Sequence, residues 1–213
     1  SFDELLDPIT PEIFEAEYRD RKPLHIPAAA DRRKAAILDW ATFNGLLNRS
    51  SAWNANTLRL VRDGDPIAPS DYCMSVHNQS GTKLEPVPGK VEVLLSTGAS
   101  IIANDIQDLT PAAASLAETL ARTFGAAVSA NAYCSFGGVQ AFGTHFDLHD
   151  VFAIHTEGEK VWRLYQNRAD HPVDFPIDGP QVRDWFRQTR GALMQEVRMR
   201  PGDLLVFHSF LLH

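Results

Sequence analysis

The stretch Gly143–Tyr165, GTHFDLHDVFAIHTEGEKVWRLY, decides how the second half of this 213-residue chain is read. Val151, Phe152, Ile154, Val161, Trp162 and Leu164 favour strands. Among them stand His145, Asp147, His149, Asp150, His155 and Lys160, more polar groups than a strand that only builds a core would carry. Every second side chain of a strand shares a face. His145 and Asp147 therefore project together, with Phe146 facing away. An imidazole beside a carboxylate is two thirds of a facial triad: two histidines and one carboxylate, with open positions left over, suit non-haem Fe(II) oxygenase chemistry. A lone His-x-Asp also arises by chance, so a third ligand must come from a distant strand.

The chain closes with PGDLLVFHSFLLH, residues 201–213. Pro201-Gly202 signals a turn, Asp203 to Phe207 a strand, and His213 follows one short connection later. Antiparallel pairing could set His213 beside His145; a frayed terminal residue is the alternative. Further out, Thr10-Pro11-Glu12 starts a helix to about Arg21, Pro23–Pro27 is extended, and Asp39–Leu47 is a second helix. Thr57–Val61 reads as a strand and Arg62–Pro69 as a turn. Asn78–Gly89, polar and interrupted by prolines and glycines, reads as an exposed loop. Thr110-Pro111 opens another helix, with Leu116, Leu120 and Phe124 four apart and Gly125 as its cap. From Ala126 the period changes, and Ala126–Ser135, Asp150–Thr156, Lys160–Gln166, Gln195–Met199 and Asp203–Phe207 are β-rich. Helices first and strands later predict an α+β fold ending in a small antiparallel barrel or sandwich.

The length suits one domain with a sizeable core, and the balance of 44% apolar to 22% charged residues is that of a soluble globular protein. A formal charge of −7 argues against a nucleic-acid or anionic-membrane binder and favours a basic partner. Cys73 and Cys134 form no paired motif, which fits a reducing, cytoplasmic location. No apolar run is long enough for a transmembrane helix, and the acidic, proline-broken SFDELLDPIT does not read as a signal peptide.

HFDLHDVF, EGEKVWRLY and PGDLLVFHSFLLH, in this order and spacing, resemble the JmjC-type cupin oxygenases, and within them the ribosomal oxygenases, which hydroxylate ribosomal proteins. Their His-x-Asp corresponds to His145-Phe146-Asp147, their Gly-x-Lys-x-Trp to Gly158–Trp162, and their Pro-Gly-Asp with a distal histidine to Pro201–Asp203 with His213. FEAEYRDRKPLHI and the helix leading into ANAYCS share the likeness. The resemblance implies a double-stranded β-helix (cupin, jelly-roll) with N-terminal helices packed outside. It would be one domain over 1–213, helical to about 125 and barrel from about 126. It implies Fe(II) on His145, Asp147 and His213, and 2-oxoglutarate with its distal carboxylate on Lys160. Tyr133, in Asn131-Ala132-Tyr133, would hydrogen-bond that carboxylate, and Asn131 would line the pocket. Physics bears on Lys160 separately: a lysine within an apolar strand is costly unless paired, and it shares a face with Trp162 and Leu164. A solvent-facing lysine and a core tyrosine are the alternatives at those two positions.

The chain also departs from the family. His208-Ser209-Phe210 stands where Pro-Arg-Gly is frequent, and His155 where a glutamine is common. His149, in a loop, and His155, in a strand, are expected not to coordinate, and His25, His77 and His171 lack ligand spacing. Relatives continue past the position of His213 with more barrel, a dimerisation region and a winged-helix-like domain. A C-terminal continuation is therefore expected to be missing, and a homodimer stays open. The reading is an Fe(II)- and 2-oxoglutarate-dependent hydroxylase acting on a protein side chain. A basic ribosomal-protein segment would enter beside the Ser135–Thr144 loop, with its Gly137-Gly138, and the His208–Phe210 loop. No nucleic acid or membrane is expected as partner. A non-redox metal cupin and a non-catalytic peptide-binding module are the rivals.

Overall fold

The computed structural model describes residues 1–28, 30, 32–79, 81–137, 139, 141–169 and 180–213. In chain order the strands are β1 (Leu24–Ile26), β2 (Leu58–Arg62), β3 (Asp65–Pro66), β4 (Cys73–Asn78), β5 (Gly81–Pro86), β6 (Ser100–Ala103), β7 (Ala132–Cys134), β8 (Val151–Ile154), β9 (Lys160–Tyr165), β10 (Leu193–Met199) and β11 (Leu204–Phe207). Their pairings are antiparallel. With the helices they make the α+β architecture expected. The chain forms two compact units, residues 1–39 with 143–213 and residues 40–142.

The first unit holds a β1-β11-β8 sheet and a β9-β10 pair. Alternation along β8 decides what lies on each face. Val151 and Ala153 pack with Trp162, Leu164, Val197, Met199, Leu205, Phe207 and Leu211 in one apolar cluster. Phe152 points the other way, its ring 6.4 Å from Phe2 of the short helix Phe2–Leu6 and 6.1 Å from Phe14 of the helical segment that comes after it. That segment starts as the Thr10-Pro11 signal predicts. The Thr10 hydroxyl accepts from the Ile13 N–H, and one α-helical turn, Pro11–Ile13, runs on as a π-helical turn over Phe14–Tyr18.

The Pro201-Gly202-Asp203 turn is tied down from several sides. Gly202 has φ +95°, and a Cβ there would lie 2.8 Å from the Ala28 Cβ, so glycine is required for both conformation and space. The Asp203 carboxylate accepts from the N–H groups of Ala28 (2.7 Å) and Arg200 (3.0 Å) and meets His25 Nε2 at 3.2 Å. Burial alone would raise its pKa, but these donors outweigh it and hold the carboxyl below its ordinary value. The result fixes the start of β11 to the chain following β1.

The second unit contains the β3-β2-β6-β7 sheet, the β4-β5 hairpin and the helix Pro111–Phe124. Thr110 caps that helix at the Ala113 N–H, and Gly125 ends it at φ +61°, both as expected. Two expectations are corrected. Half of Asn78–Gly89 is not loop but strand β5, Gly81–Pro86, and the helix Pro88–Ser96 begins within the stretch. Of Ala126–Ser135 only Ala132–Cys134 joins a sheet. Strands also thread the first 125 residues, which the sequence suggests are mainly helical. No helix among the described residues is long and apolar enough to cross a membrane.

Candidate metal centre

The segment carrying His145 and Asp147 is extended but lies outside the named strands, which corrects the strand assignment while preserving its consequence. His145 donates its N–H to the His213 carbonyl (3.0 Å), and His213 donates back to the His145 carbonyl (2.9 Å). This reciprocal exchange is that of a hydrogen-bonded antiparallel pair, which puts both side chains on one face. The imidazole centroids are 4.4 Å apart. Phe210 donates to the Asp147 carbonyl (2.8 Å), and Tyr165 donates to Leu212 from the other side (2.9 Å), so the terminal segment is held along both edges. His213 is therefore not frayed. Phe146 turns away, as alternation demands, and packs 5.8 Å from Phe186.

His145, Asp147 and His213 each offer one donor atom, all within 4.8 Å of one another. His213 Nε2 lies 3.7 Å from Asp147 Oδ2. The other ring nitrogen of each histidine is occupied alike: His145 Nδ1 is 2.9 Å from the Gly143 carbonyl, His213 Nδ1 3.0 Å from the Leu211 carbonyl. A carbonyl only accepts, so each Nδ1 carries the hydrogen and each Nε2 the lone pair. That is how protein carbonyls orient a metal-binding histidine. Phe207 and Trp162 wall His213, with centroids 4.6 and 5.5 Å from it. Burial above all, then the neighbouring His145, lowers the His213 pKa from 6.5 to about 4. The ring is thus neutral at pH 7, the form that ligates. Two imidazole nitrogens and one carboxylate suit a divalent transition metal.

Lys160 opens β9, and its alternation with Trp162 and Leu164 places it on the face that lines the apolar cluster. Its Nζ sits 4.0 Å over the Trp162 ring. The residue as a whole remains exposed, yet protein crowding around the ammonium lowers its pKa from 10.5 to about 8. With a pKa of about 8 it stays mainly cationic at pH 7. Tyr133 and Asn131 belong to the second unit. Tyr133 is 58% exposed, with its ring edge-on to Phe142 at 6.1 Å, so it is no core tyrosine. The Asn131 side-chain oxygen accepts from the Asp105 N–H (3.1 Å), where Asp105 adopts φ +58°.

The other histidines divide cleanly. His149 is exposed. His155 comes one residue after the end of β8 rather than within it. His25 is bound to Asp203, and His77 Nδ1 meets the Thr82 hydroxyl at 2.8 Å. His171 lies outside the described residues, as do Gly138 and Gln140 of the expected entry loop. Phe210 adopts φ +65°, a conformation costly for an L side chain and natural for the glycine frequent in the resembling family. Its ring contacts Phe146 at 6.2 Å. Missed in the sequence was the Arg190 guanidinium, which donates to the Tyr165 hydroxyl (2.8 Å) and Thr144 (3.3 Å), bracing the residue before His145. No spacing signal announces it.

The family described as the JmjC domain matches residues 104–213, just over half of the sequence. The chain belongs to the JmjC family. Among similar proteins, ribosomal oxygenase 1 of Danio rerio is 24% identical over 212 residues, covering 100% of this chain and 37% of that protein. A protein of Culex quinquefasciatus named bifunctional lysine-specific demethylase and histidyl-hydroxylase NO66 is 24% identical over 204 residues, 96% of this chain and 30% of its own length. The chain thus spans about a third of these relatives. The structure of YcfD, a ribosomal oxygenase from Escherichia coli in complex with cobalt and succinic acid, aligns with TM-score 0.52 and 14% identity over 96% of this chain and 47% of that one. At that identity the likeness speaks for the fold: the JmjC chain has the cupin architecture its sequence predicts.

Proposed function

We propose that this JmjC chain is an Fe(II)- and 2-oxoglutarate-dependent oxygenase that hydroxylates a side chain of a basic protein, such as a ribosomal protein. The observation that carries the reading is the donor set: two histidines with Nδ1 pinned to carbonyls and a carboxylate, converging within 4.8 Å. His145, Asp147 and His213 would hold the metal, which, with 2-oxoglutarate and O₂, supplies the oxidising chemistry of C–H hydroxylation, releasing succinate and CO₂. The Gly143 and Leu211 carbonyls keep the two imidazoles in the ligating tautomer. Asp147 supplies the one anionic donor of the set, and Trp162 and Phe207 exclude water from the His213 side. Lys160, cationic on the interior face, would orient the cosubstrate by its distal carboxylate.

For Tyr133 and Asn131 the cofactor role rests on the Asn-x-Tyr resemblance, not on their placement. The substrate class draws on the names of the relatives and on the charge of −7. Two free cysteines support a reducing, cytoplasmic setting. The test is anaerobic addition of Fe(II) and 2-oxoglutarate, followed by O₂ and a candidate ribosomal protein. A visible charge-transfer band and an enzyme-dependent gain of one oxygen by mass spectrometry are expected. Absence of the band would favour a non-redox cupin.

A further inference from the structure

Thr144 and Tyr165 stand next to the segments of the two candidate histidine ligands, on the face away from the metal centre. Thr144 precedes His145, so alternation gives its side chain the face of Phe146. Tyr165 follows Leu164, which lines the apolar cluster, and turns to the opposite face, where it packs with Phe186, Leu212 and Phe146. Its backbone N–H donates to the carbonyl of Leu212, the residue before His213 (2.9 Å). One guanidinium joins the two hydroxyls. Arg190 Nη1 donates to the Tyr165 hydroxyl (2.8 Å) and to Thr144 Oγ1 (3.3 Å), and the guanidinium carbon lies 4.5 Å from the Tyr165 ring centre. Nη1 carries two hydrogens, so it makes both bonds at once. Arg190 is itself held. Its N–H donates to the Phe186 carbonyl in the last turn of the helix Pro180–Thr189 (3.0 Å), and its carbonyl accepts from the Asn167 N–H (3.2 Å). The Asn167 side chain donates to the Thr189 carbonyl (2.7 Å), and a Cβ on Gly191, at φ +70°, would lie 2.9 Å from that side chain. The Asn167 carbonyl in turn accepts from the Leu212 N–H (3.4 Å). The corner at 189–191 thus reaches both ligand segments, His145 through Thr144 and His213 through Tyr165, Asn167 and Leu212.

We infer that Arg190 is a positioning residue of the metal centre: by tying Thr144 to Tyr165 it holds His145 and His213 at the separation a shared metal ion requires. This rests on the reading of His145, Asp147 and His213 as metal ligands. The segment of His145 belongs to no named strand, so side-chain bonds carry more of the work of fixing it. A site whose donors are held in advance loses little freedom when the metal binds, whereas loosened donor segments must first be ordered, and affinity falls by that cost. Arg190 acts from behind the ligands, through the two segments that carry them, and transfers no proton.

The test titrates Mn(II) into the metal-free protein by calorimetry at pH 7.5. Arg190→Met keeps a long side chain but loses the donors, and is expected to raise the Mn(II) Kd about tenfold, the lower end of what partners of metal ligands contribute. Thr144→Val and Tyr165→Phe each remove one hydroxyl and are expected to raise it less. Arg190→Lys, which retains a charged donor, is expected to recover part of the loss. Thr144→Val placed in the Arg190→Met background should add nothing, because its bond is already gone. The visible absorption of the Co(II)-loaded protein follows coordination geometry and should change in Arg190→Met. A role confined to stability would lower the urea midpoint while leaving the Kd of the folded protein and the Co(II) spectrum as they were. Should Arg190→Met fail to fold, Thr144→Val and Tyr165→Phe decide the matter. Unchanged Mn(II) affinity in every folded variant, or a Thr144→Val effect just as large in the Arg190→Met background, would overturn the positioning role alone. If the unsubstituted protein takes up no Mn(II), the ligand assignment falls and the role of Arg190 with it.

Discussion

The metal-free protein should lose stability in mild acid through one residue, His213. Its side chain is 3% exposed, lies against Phe207 and Trp162, and faces a second imidazole at 4.4 Å. Burial first, and then His145, depress its pKa to about 4, while an unfolded histidine titrates near 6.5. As pH falls through 6.5 the unfolded chain takes up a proton that the native state refuses until about pH 4. Stability from this residue is therefore whole above about 6.5, declines between 6.5 and 4, and is flat below. At about 1.36 kcal/mol per pH unit the interval corresponds to roughly 3 kcal/mol, of which roughly 1.4 kcal/mol is lost by pH 5.5. Urea unfolding of metal-free protein at pH 7.5, 5.5 and 4, beside His213→Asn, isolates it: groups common to both chains cancel, and the difference between the chains should shrink as pH falls. Parallel pH dependences would refute the reasoning and mean that His213 titrates like a solvated histidine.

Asp147→Ala should abolish tight binding of a divalent transition metal, measured by calorimetry with Mn(II), whereas His149→Ala, at an exposed position, should bind it nearly normally; equal behaviour would reject the donor assignment. Asp203→Ala should destabilise the fold by about 2–4 kcal/mol, because the Ala28 and Arg200 N–H groups and His25 lose a charged acceptor together; urea midpoints check it. Turnover on a basic protein substrate should show an apparent Michaelis constant that rises with ionic strength, since attraction to an acidic chain is screened by salt, while a small neutral substrate shows no such rise.

The helix starts at Thr10 and Thr110, the strands β8, β9 and β11, and the candidate ligands His145, Asp147 and His213 were legible in the sequence because each rests on neighbouring residues or on a motif. A cap needs only a hydroxyl and an N–H three residues on, and alternation needs only that one face be buried. Where burial does not alternate, the signal fails: β5 is largely exposed, so its polar residues read as a loop. Other features arise only when distant segments meet. The exchange of hydrogen bonds between His145 and His213, the tether of Asp203 to His25 across 178 residues, and the brace from Arg190 to Thr144 belong to this class. So does Nε2 of His155, buried without a hydrogen-bond partner among the described residues: residue type made it a histidine, but the pairing of its backbone with Asp203 and the closing of the apolar cluster left that nitrogen unmatched. Periodicity and capping act over a few residues and can be read along the chain, whereas the surroundings of a polar atom are set by whatever the folded chain brings next to it.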